Sequence, residues 1–511
     1  MFRKKVALSL GCIGAVLLAL SWSFSSPLGS SADEDFHLGS IWCAAGASAT
    51  CDLESWGDST RYLVPPEVAR ETCYLRGYKN ASQVSAACVN QPSSSQELVP
   101  THRVNNVADY YPPIFYRTMH TLVGADPTTS VIAMRIVNGA LAVLILGLLL
   151  LSSQQWLRRP LALALVVGLV PFGVFFIPSI NPSSWAIVGV FSFWAFFLAW
   201  LASDRALSRI GVARLFGLGL SGVLVVASRS DAALYAGITT AVATLVTWPK
   251  VRVHARRLWV LAIPIPFLLW GLAFRFNSLA GLVGFVPTTQ TNEVGVEAAG
   301  AVMGDLIRNA LEIPAFLAGA LGANAPDFDQ SSAFLYGIGS VDIRMPSILP
   351  LITVGMVLSV LFVSMRTLSR RRALGIALLL GALTLVPLMA TSRFAYQYSY
   401  APRTIYPLLL ASIAIALMVF PRKKLALSKV QVSLLAAGFS IANAVALLTT
   451  VRRYTNGQSE TWLSFFFTPE WWWDFGPGPQ VVVLIGSLAG VGVATGLARI
   501  VYNPNLGARV G

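Results

Sequence analysis

The sequence predicts an all-α polytopic membrane protein of about twelve transmembrane helices with a disulfide-stapled first outer loop, and three observations predict it. Of 511 residues, 55% are hydrophobic and only 12% charged, a balance no ordinary soluble domain shows. About twelve apolar runs are long enough to cross roughly 30 Å of hydrocarbon. The charges then divide between the loops by sign, as a multispan chain requires.

In order, the runs fall at about 6–24, 130–151, 160–178, 183–202, 212–228, 231–248, 258–275, 347–365, 373–390, 402–420, 430–450 and 479–501. Lys and Arg are retained on the cytoplasmic side. With the N-terminus inside, the inner segments hold Arg3, Lys4 and Lys5; Arg158 and Arg159; Arg205, Arg209 and Arg214; Lys250, Arg252, Arg256 and Arg257. They continue with Arg366, Arg370, Arg371 and Arg372; Arg422, Lys423, Lys424 and Lys429; Arg499 and Arg509, more than half of the 37 basic residues in all. Both termini are therefore expected in the cytoplasm. Of the 23 acidic residues only Asp204 falls in a predicted inner loop. Acids carry little weight in insertion, so this imbalance points to an outer surface that handles a substrate. The net charge of +14 is read as anchoring charge facing anionic membrane lipids rather than as a nucleic-acid footprint, and no nucleic-acid partner is expected.

The chain divides into a first transmembrane anchor at 1–25, an outer loop at 26–129 with candidate catalytic carboxylates, and helices two to seven over 130–275. An outer loop with an interfacial helix follows at 276–346, then helices eight to twelve over 347–511. The basic Arg3-Lys4-Lys5, the apolar core and Ser30-Ser31-Ala32 also fit a cleavable signal peptide. A retained anchor is preferred, because the run is long and Asp33 would otherwise become a free terminus. Cys12 lies in the first span, while Cys43, Cys51, Cys73 and Cys88 share the first outer loop. That even set reads as two disulfides, with the local pairing Cys43–Cys51 and Cys73–Cys88 favoured among three. Their spacings match no zinc knuckle.

Within the first outer loop, 33–47 could form a short helix lying on the membrane with Ser31 as N-cap, and 113–123 a second started by Pro113. In the second large outer region Asp305, Arg308 and Glu312 fall on one helical face of an otherwise apolar stretch, 299–323, which suits an interfacial helix better than a span. The third, about 451–478, carries Trp462, Phe465, Phe466, Phe467, Trp471, Trp472 and Trp473. Such a group makes an aromatic belt at headgroup level, or a surface that grips sugar or lipid.

Five polar constellations sit where spans meet the predicted outer face. Asp33-Glu34-Asp35-Phe36-His37 places three carboxylates and a histidine where charge is expensive unless used. In a helical turn Asp33 and His37 stack, so the histidine could orient a carboxylate acting as general base; the bland alternative is an acidic helix start favoured by the dipole. Tyr110-Tyr111-Pro112-Pro113-Ile114-Phe115-Tyr116 makes a stiff aromatic turn, and Asn181-Pro182-Ser183-Ser184-Trp185 is a helix cap or a polar contact for substrate. Arg229, in Ser228-Arg229-Ser230-Asp231, is a candidate for a phosphate oxygen or a partner of Asp231. The stretch Arg393 to Arg403, then Tyr406-Pro407, combines two arginines with four tyrosines, Tyr406 included, which suits a diphosphate or phosphate with an isoprenoid tail beside it. A divalent ion, Mg or Mn, bridging Asp33, Glu34 or Asp35 is compatible with the pattern but not required.

No span centre shows the acid or base expected of an ion-coupled transporter, and no internal repeat suggests duplicated halves. Walker loop, nucleophile elbow, zincin helix and dinucleotide fingerprint are all missing from the sequence. Energy for a reaction must then arrive with an activated, lipid-borne substrate.

At these residues the chain resembles the bacterial membrane proteins of domain-of-unknown-function family 2142, in the GT-C glycosyltransferase superfamily. The resemblance rests on Asp33-Glu34-x-x-His37 after the first span, Tyr111-Pro112-Pro113 before the second, Asn181-Pro182 before the fourth, and Arg403-x-x-Tyr406-Pro407 entering a late span. It departs where Ser183 follows Asn-Pro in place of a common acidic residue, and where Ser230-Asp231 replaces a proline-rich turn. The resemblance implies a GT-C-like multi-pass protein of the bacterial plasma membrane with its active site on the outer face, moving a sugar from a polyprenyl-phosphate donor to an envelope glycan or glycolipid. Carried onto this chain, Asp33 is the base, Glu34 the second choice and His37 a support, while Arg403, with Arg229 or Arg393, holds the lipid phosphate. Asn181, Tyr111 and Tyr406 complete the expected substrate contacts. A lipid or oligosaccharide flippase and a non-catalytic envelope assembly protein are the rival readings.

Overall fold

In the computed structural model the residues described are 2–56, 59–69, 74, 84–90, 97–101, 104, 111–204, 207–253, 296–323, 338–339, 343–392, 401–418, 427–457 and 464–502. The helices are α1 (Phe2–Phe24), α2 (Glu34–Trp42), α3 (Pro66–Ala69), α4 (Pro113–His120), α5 (Pro127–Ser152), α6 (Gln155–Gly168), α7 (Phe172–Phe176), α8 (Pro182–Leu201), α9 (Arg209–Ser228) and α10 (Ser230–Val251). They continue with α11 (Val296–Gly319), α12 (Ile348–Met365), α13 (Arg370–Ser392), α14 (Pro402–Ala416), α15 (Lys429–Asn456), α16 (Ser464–Phe467) and α17 (Pro479–Val501). Among the described residues nine helices are long and apolar enough to cross a membrane. The protein is thus a predominantly helical, multi-pass membrane protein.

The nine match expected runs, and local chemistry explains where they begin. Pro127, Pro182, Pro402 and Pro479 open their helices, where a preset φ helps and a missing N–H is not felt. Asp126 accepts from Thr129 N at 2.7 Å, and Asn181 from Ser183 N at 2.8 Å.

The remaining three expected spans turn out differently. The run at 160–178 is broken: α6 ends at Gly168 and α7 begins at Phe172. Pro171 sits at the break and brings no N–H to a continuing ladder. The run at 402–420 gives only the 15-residue α14, and that at 258–275 lies outside the described residues.

The helices assemble around α8, which is buried along its whole length. Its neighbours, not lipid, surround it, so a uniformly apolar sequence reflects a central position. The first helix packs along α17. A Cβ at Gly14 would lie 2.8 Å from the carbonyl oxygen of Ala489, so glycine is required for that close approach. Trp22 Nε1 donates to Asn443 Oδ1 at 3.1 Å, and Asn443 Nδ2 to the Gly486 carbonyl at 2.9 Å, joining α1, α15 and α17.

Basic residues assigned to the inner face end helices. Arg214 Nε donates to the carbonyl of Ser152, the last residue of α5, at 3.0 Å. Arg372 donates through Nη1 to the Ser364 carbonyl at 2.7 Å and through Nε to the Ala416 carbonyl at 2.8 Å, joining the ends of α12 and α14. Terminal carbonyls that lack helical partners are met, and each cation sits at the negative end of a dipole.

The first outer loop folds onto this bundle. Its two expected helices form, but α2 is buried from Leu38 to Trp42 instead of lying on a surface, and its N-cap position is Asp33, not Ser31. A small antiparallel sheet, order β1 (Asp52–Trp56), β2 (Ser59–Val64), β3 (Val99–Thr101), adds structure that the helical reading did not include. Cys43 and Cys51 form a disulfide. Cys88 is disulfide-bonded too, and Cys73 lies outside the described residues. The stretch 299–323 is helical over α11, which leaves Ile307 and Leu311 exposed. In the aromatic region Phe466 and Phe467 are exposed while Trp472 and Trp473 are buried, and Trp462 lies outside the described residues.

Candidate functional site

The segment between α1 and α2 carries Asp33 and is held carbonyl by carbonyl. Arg135, on α5, donates to the carbonyls of Ser23 at 3.2 Å and Pro27 at 2.8 Å and to that of Ser26. Trp473 Nε1 donates to Phe24 O at 2.9 Å, and Tyr74 Oη to Leu28 O at 3.0 Å. Tyr454 Oη reaches Ser30 O at 3.4 Å, and Asn181 Nδ2 reaches Ala32 O at 2.9 Å. Side chains from five separate parts of the chain thus fix the backbone leading to Asp33. Such a supporting shell is what holds a reactive group in place.

Asp33 itself adopts φ 59°, ψ 20°, the one left-handed non-glycine backbone among the described residues. The conformation is costly for most side chains and tolerated by Asp and Asn, and it persists only where surroundings impose it. Its side chain is 43% exposed and accepts a hydrogen bond from Arg403 Nη2 at the start of α14. Residues 370 positions apart are brought together, as the sequence reading of Asp33 and Arg403 required.

Glu34 has a different part. It is completely buried, and Arg135 Nη2 contacts its Oε1 at 3.0 Å, while Ser31 N donates to Oε2 at 2.9 Å. Arg135 is itself only 2% exposed. Expected as second choice of base and as a metal ligand, Glu34 is instead the counter-ion of a buried arginine. Successive helical residues point about 100° apart, so only one neighbour of Asp33's phase can face the opening. Of the trio Asp33, Glu34 and Asp35, the first and last keep partly exposed side chains.

His37 is buried, and its Nδ1 lies 3.0 Å from the hydroxyl of Tyr116 on α4. Its ring meets Tyr111 edge-on at 5.2 Å. Burial, Tyr111 and the Asp33 carboxylate together push the Tyr116 phenol well above its ordinary range, against an opposing pull from Arg229. Tyr116 therefore stays protonated and can donate. The histidine is an anchor between α2 and α4, joined there by His120 Nδ1 at 2.8 Å from the Ile41 carbonyl.

Arg229 lies in the turn between α9 and α10. Its Nε and Nη2 each meet a carboxylate oxygen of Asp231 at 2.9 Å, and Nη1 donates to Ser183 Oγ at 3.2 Å. The guanidinium stands 6.0 Å from the Tyr111 ring centre. Burial opposes its charge, yet Asp231 overcomes this and raises the pKa of Arg229. Tyr406, expected to touch substrate, is buried and donates to the Gly168 carbonyl at 2.6 Å, covering the broken end of α6. Asn181 likewise serves the backbone, as a cap and as the support of Ala32. Arg393 lies outside the described residues.

The structure therefore joins Asp33 to Arg403, and groups His37, Tyr111, Tyr116 and Arg229 around a phenol, that of Tyr116, which feels the charges of both Asp33 and Arg229. Arg135 was missed by sequence reasoning. A lone arginine inside an otherwise apolar run was its signal, since such a charge must find a partner.

A family model described as "Predicted membrane protein (DUF2142)" matches residues 16–412. No curated protein and no solved structure matches the chain.

Proposed function

The chain belongs to the DUF2142 family of predicted membrane proteins, and on that premise we propose that it is a membrane glycosyltransferase of the bacterial plasma membrane. It moves a sugar from a polyprenyl-phosphate-linked donor to a cell-envelope glycan or glycolipid on the outer face. The observation that carries the reading is Asp33: left-handed, partly exposed, fixed from behind by successive backbone contacts and touching Arg403. A carboxylate whose backbone is held so firmly, beside a cation and partly open to solvent, has the character of a reactive centre.

In the proposed reaction the acceptor hydroxyl gives its proton to the Asp33 carboxylate, and its oxygen bonds to the anomeric carbon. The bond from that carbon to the phosphate oxygen breaks, and its electron pair leaves with the polyprenyl phosphate. Attack opposite the departing group inverts the anomeric centre. Arg403 offsets the charge that develops on the phosphate, a fixed cation in a site partly removed from water. Arg229 and Tyr111 line the same region, and Glu34 and Arg135 keep the Asp33 backbone in place.

The test compares envelope glycans and lipid-linked sugars in a strain lacking the gene with its parent. Loss of one glycan together with accumulation of a polyprenyl-phosphate sugar is expected. An unchanged glycan profile, or transport of a lipid-linked sugar by the purified chain in vesicles, would overturn the reading.

A further inference from the structure

At the end of α5 remote from Asp33, two guanidiniums gather on one run of backbone. Arg158, in the first turn of α6, donates through Nη2 to the carbonyls of Leu151 at 2.8 Å and Ser153 at 2.7 Å. Arg214, on α9, donates through Nε and Nη2 to the Ser152 carbonyl between them. Beside Arg158 stands Arg159, which makes no hydrogen bond among the described residues. None of the three arginines pairs with a carboxylate there. Four buried donors, Ser152 Oγ, Ser153 Oγ, Arg158 Nε and Arg159 Nε, have no acceptor among the described residues. Ser153 is only 1% exposed and Arg214 only 6%. Unmet donors and like charges in such a place are costly unless an anion meets them. The helix dipoles do not supply that anion: the end of α5 contributes about half a negative charge, and the start of α6 about half a positive one.

We propose that this junction of α5, α6 and α9 binds the phosphate of an anionic phospholipid. Arg158 and Arg159 are partly exposed and grasp the phosphate oxygens, and Arg214 adds charge from beneath. Along α5, Arg135 and Ser152 stand about 26 Å apart, close to the thickness of the hydrocarbon layer, so the junction lies at the membrane face opposite Asp33. Leu151, Ile210 and Phe216 are exposed around it, as acyl chains require. The Lys250 ammonium sits 4.9 Å from the centre of the Trp156 ring on α6, and rings of this kind belong at headgroup level. A soluble phosphate would leave the apolar surround unused. A zwitterionic lipid would bring a further cation to a place that already holds three, whereas basic pockets between spans suit anionic headgroups. The site is an addition to the glycosyltransferase reading, since the transfer reaction touches none of these residues.

Equilibrium binding to the detergent-solubilised full chain tests this, with dioleoyl phosphatidylglycerol, dioleoyl phosphatidylcholine and sn-glycerol 3-phosphate as separate probes. Phosphatidylglycerol should bind more tightly than either of the others. Arg159→Gln should weaken its binding about fivefold, the contribution of one arginine near an anionic headgroup. Arg159→Glu should weaken it further. Arg371→Gln, at the exposed start of α13, lowers the net charge equally and should leave the affinity unchanged. Because Arg159 bonds to nothing in the fold, the thermal midpoint in lipid-free detergent should be the same for Arg159→Gln as for the natural chain. A fall in that midpoint would make Arg159 a structural residue and overturn the site. Equal losses from Arg159→Gln and Arg371→Gln would also overturn it, by reducing the effect to general charge. Phosphatidylcholine that binds as tightly as phosphatidylglycerol would remove the preference for an anionic lipid, and sn-glycerol 3-phosphate that does so would make the ligand a soluble phosphate instead.

Discussion

Glu34→Gln and Asp33→Asn change adjacent carboxylates to amides of the same shape, and the structure predicts opposite outcomes. At Glu34 the change leaves Arg135 charged, 2% exposed and without its counter-ion, although its carbonyl acceptors remain. Breaking a buried pair in this way costs about 3–5 kcal/mol. At Asp33 the carboxylate is 43% exposed, its contact with Arg403 is single, and its left-handed backbone suits Asn as well as Asp. A pair of that kind contributes about 0–1 kcal/mol, and the conformation adds nothing to the difference. Unfolding entropy grows with chain length, so for a chain this long one kcal/mol moves the midpoint by about 1 °C. Thermal unfolding of the detergent-solubilised protein should thus show a fall of about 3–5 °C for Glu34→Gln and of about 1 °C or less for Asp33→Asn. Transfer activity should follow the reverse order, with Asp33→Asn losing about 10²–10⁴-fold through the missing general base. Equal destabilisation by the two variants would refute the reasoning, because it would make Asp33 a structural carboxylate.

Tyr406→Phe keeps the packing and removes the hydroxyl that covers the Gly168 carbonyl; it should destabilise by about 1–3 kcal/mol in thermal unfolding and leave farnesyl monophosphate affinity unchanged. Gly14→Leu pushes a side chain into the backbone of α17 and should lower stability by about 1–3 kcal/mol, whereas the same change at Gly147, where a Cβ meets no atom, should not. Because α1 is bonded through Trp22 to Asn443 and packed on α17, the mature protein should retain it, which intact-mass measurement of the purified chain would check. Tyr116 holds its proton more tightly when folded than its ordinary value near 10, so the folded state binds more protons there in alkali. Stability should therefore be flat with respect to this residue below about pH 10 and fall as pH rises beyond it, a slope that Tyr116→Phe would remove.

Much of this architecture could be read from the chain because membrane insertion leaves simple marks. Length and apolarity located α1, α5, α8 and their kin, and proline with Asp126 or Asn181 marked where the helices begin. The union of Asp33 with Arg403 was also legible, since both stand at predicted outer boundaries where an unpaired charge is expensive. What could not be read is orientation within a turn. Asp33 and Glu34 look alike in sequence, and only the position of Arg135 decides which of them is turned inward. Tyr406 was misread for a similar reason: the carbonyl it covers exists only because α6 stops at Gly168. The sheet escaped notice because its strands are three to six residues long, too short for periodicity to register.

The central claim, that Asp33 is the base of a lipid-dependent sugar transfer, is tested most directly by complementation. A strain lacking the gene receives either the natural chain or Asp33→Asn at matched membrane abundance, and its polyprenyl-phosphate sugars are measured by mass spectrometry. The account predicts that the natural chain clears the accumulated lipid-linked sugar and Asp33→Asn does not. Clearance by Asp33→Asn at the natural rate would contradict it.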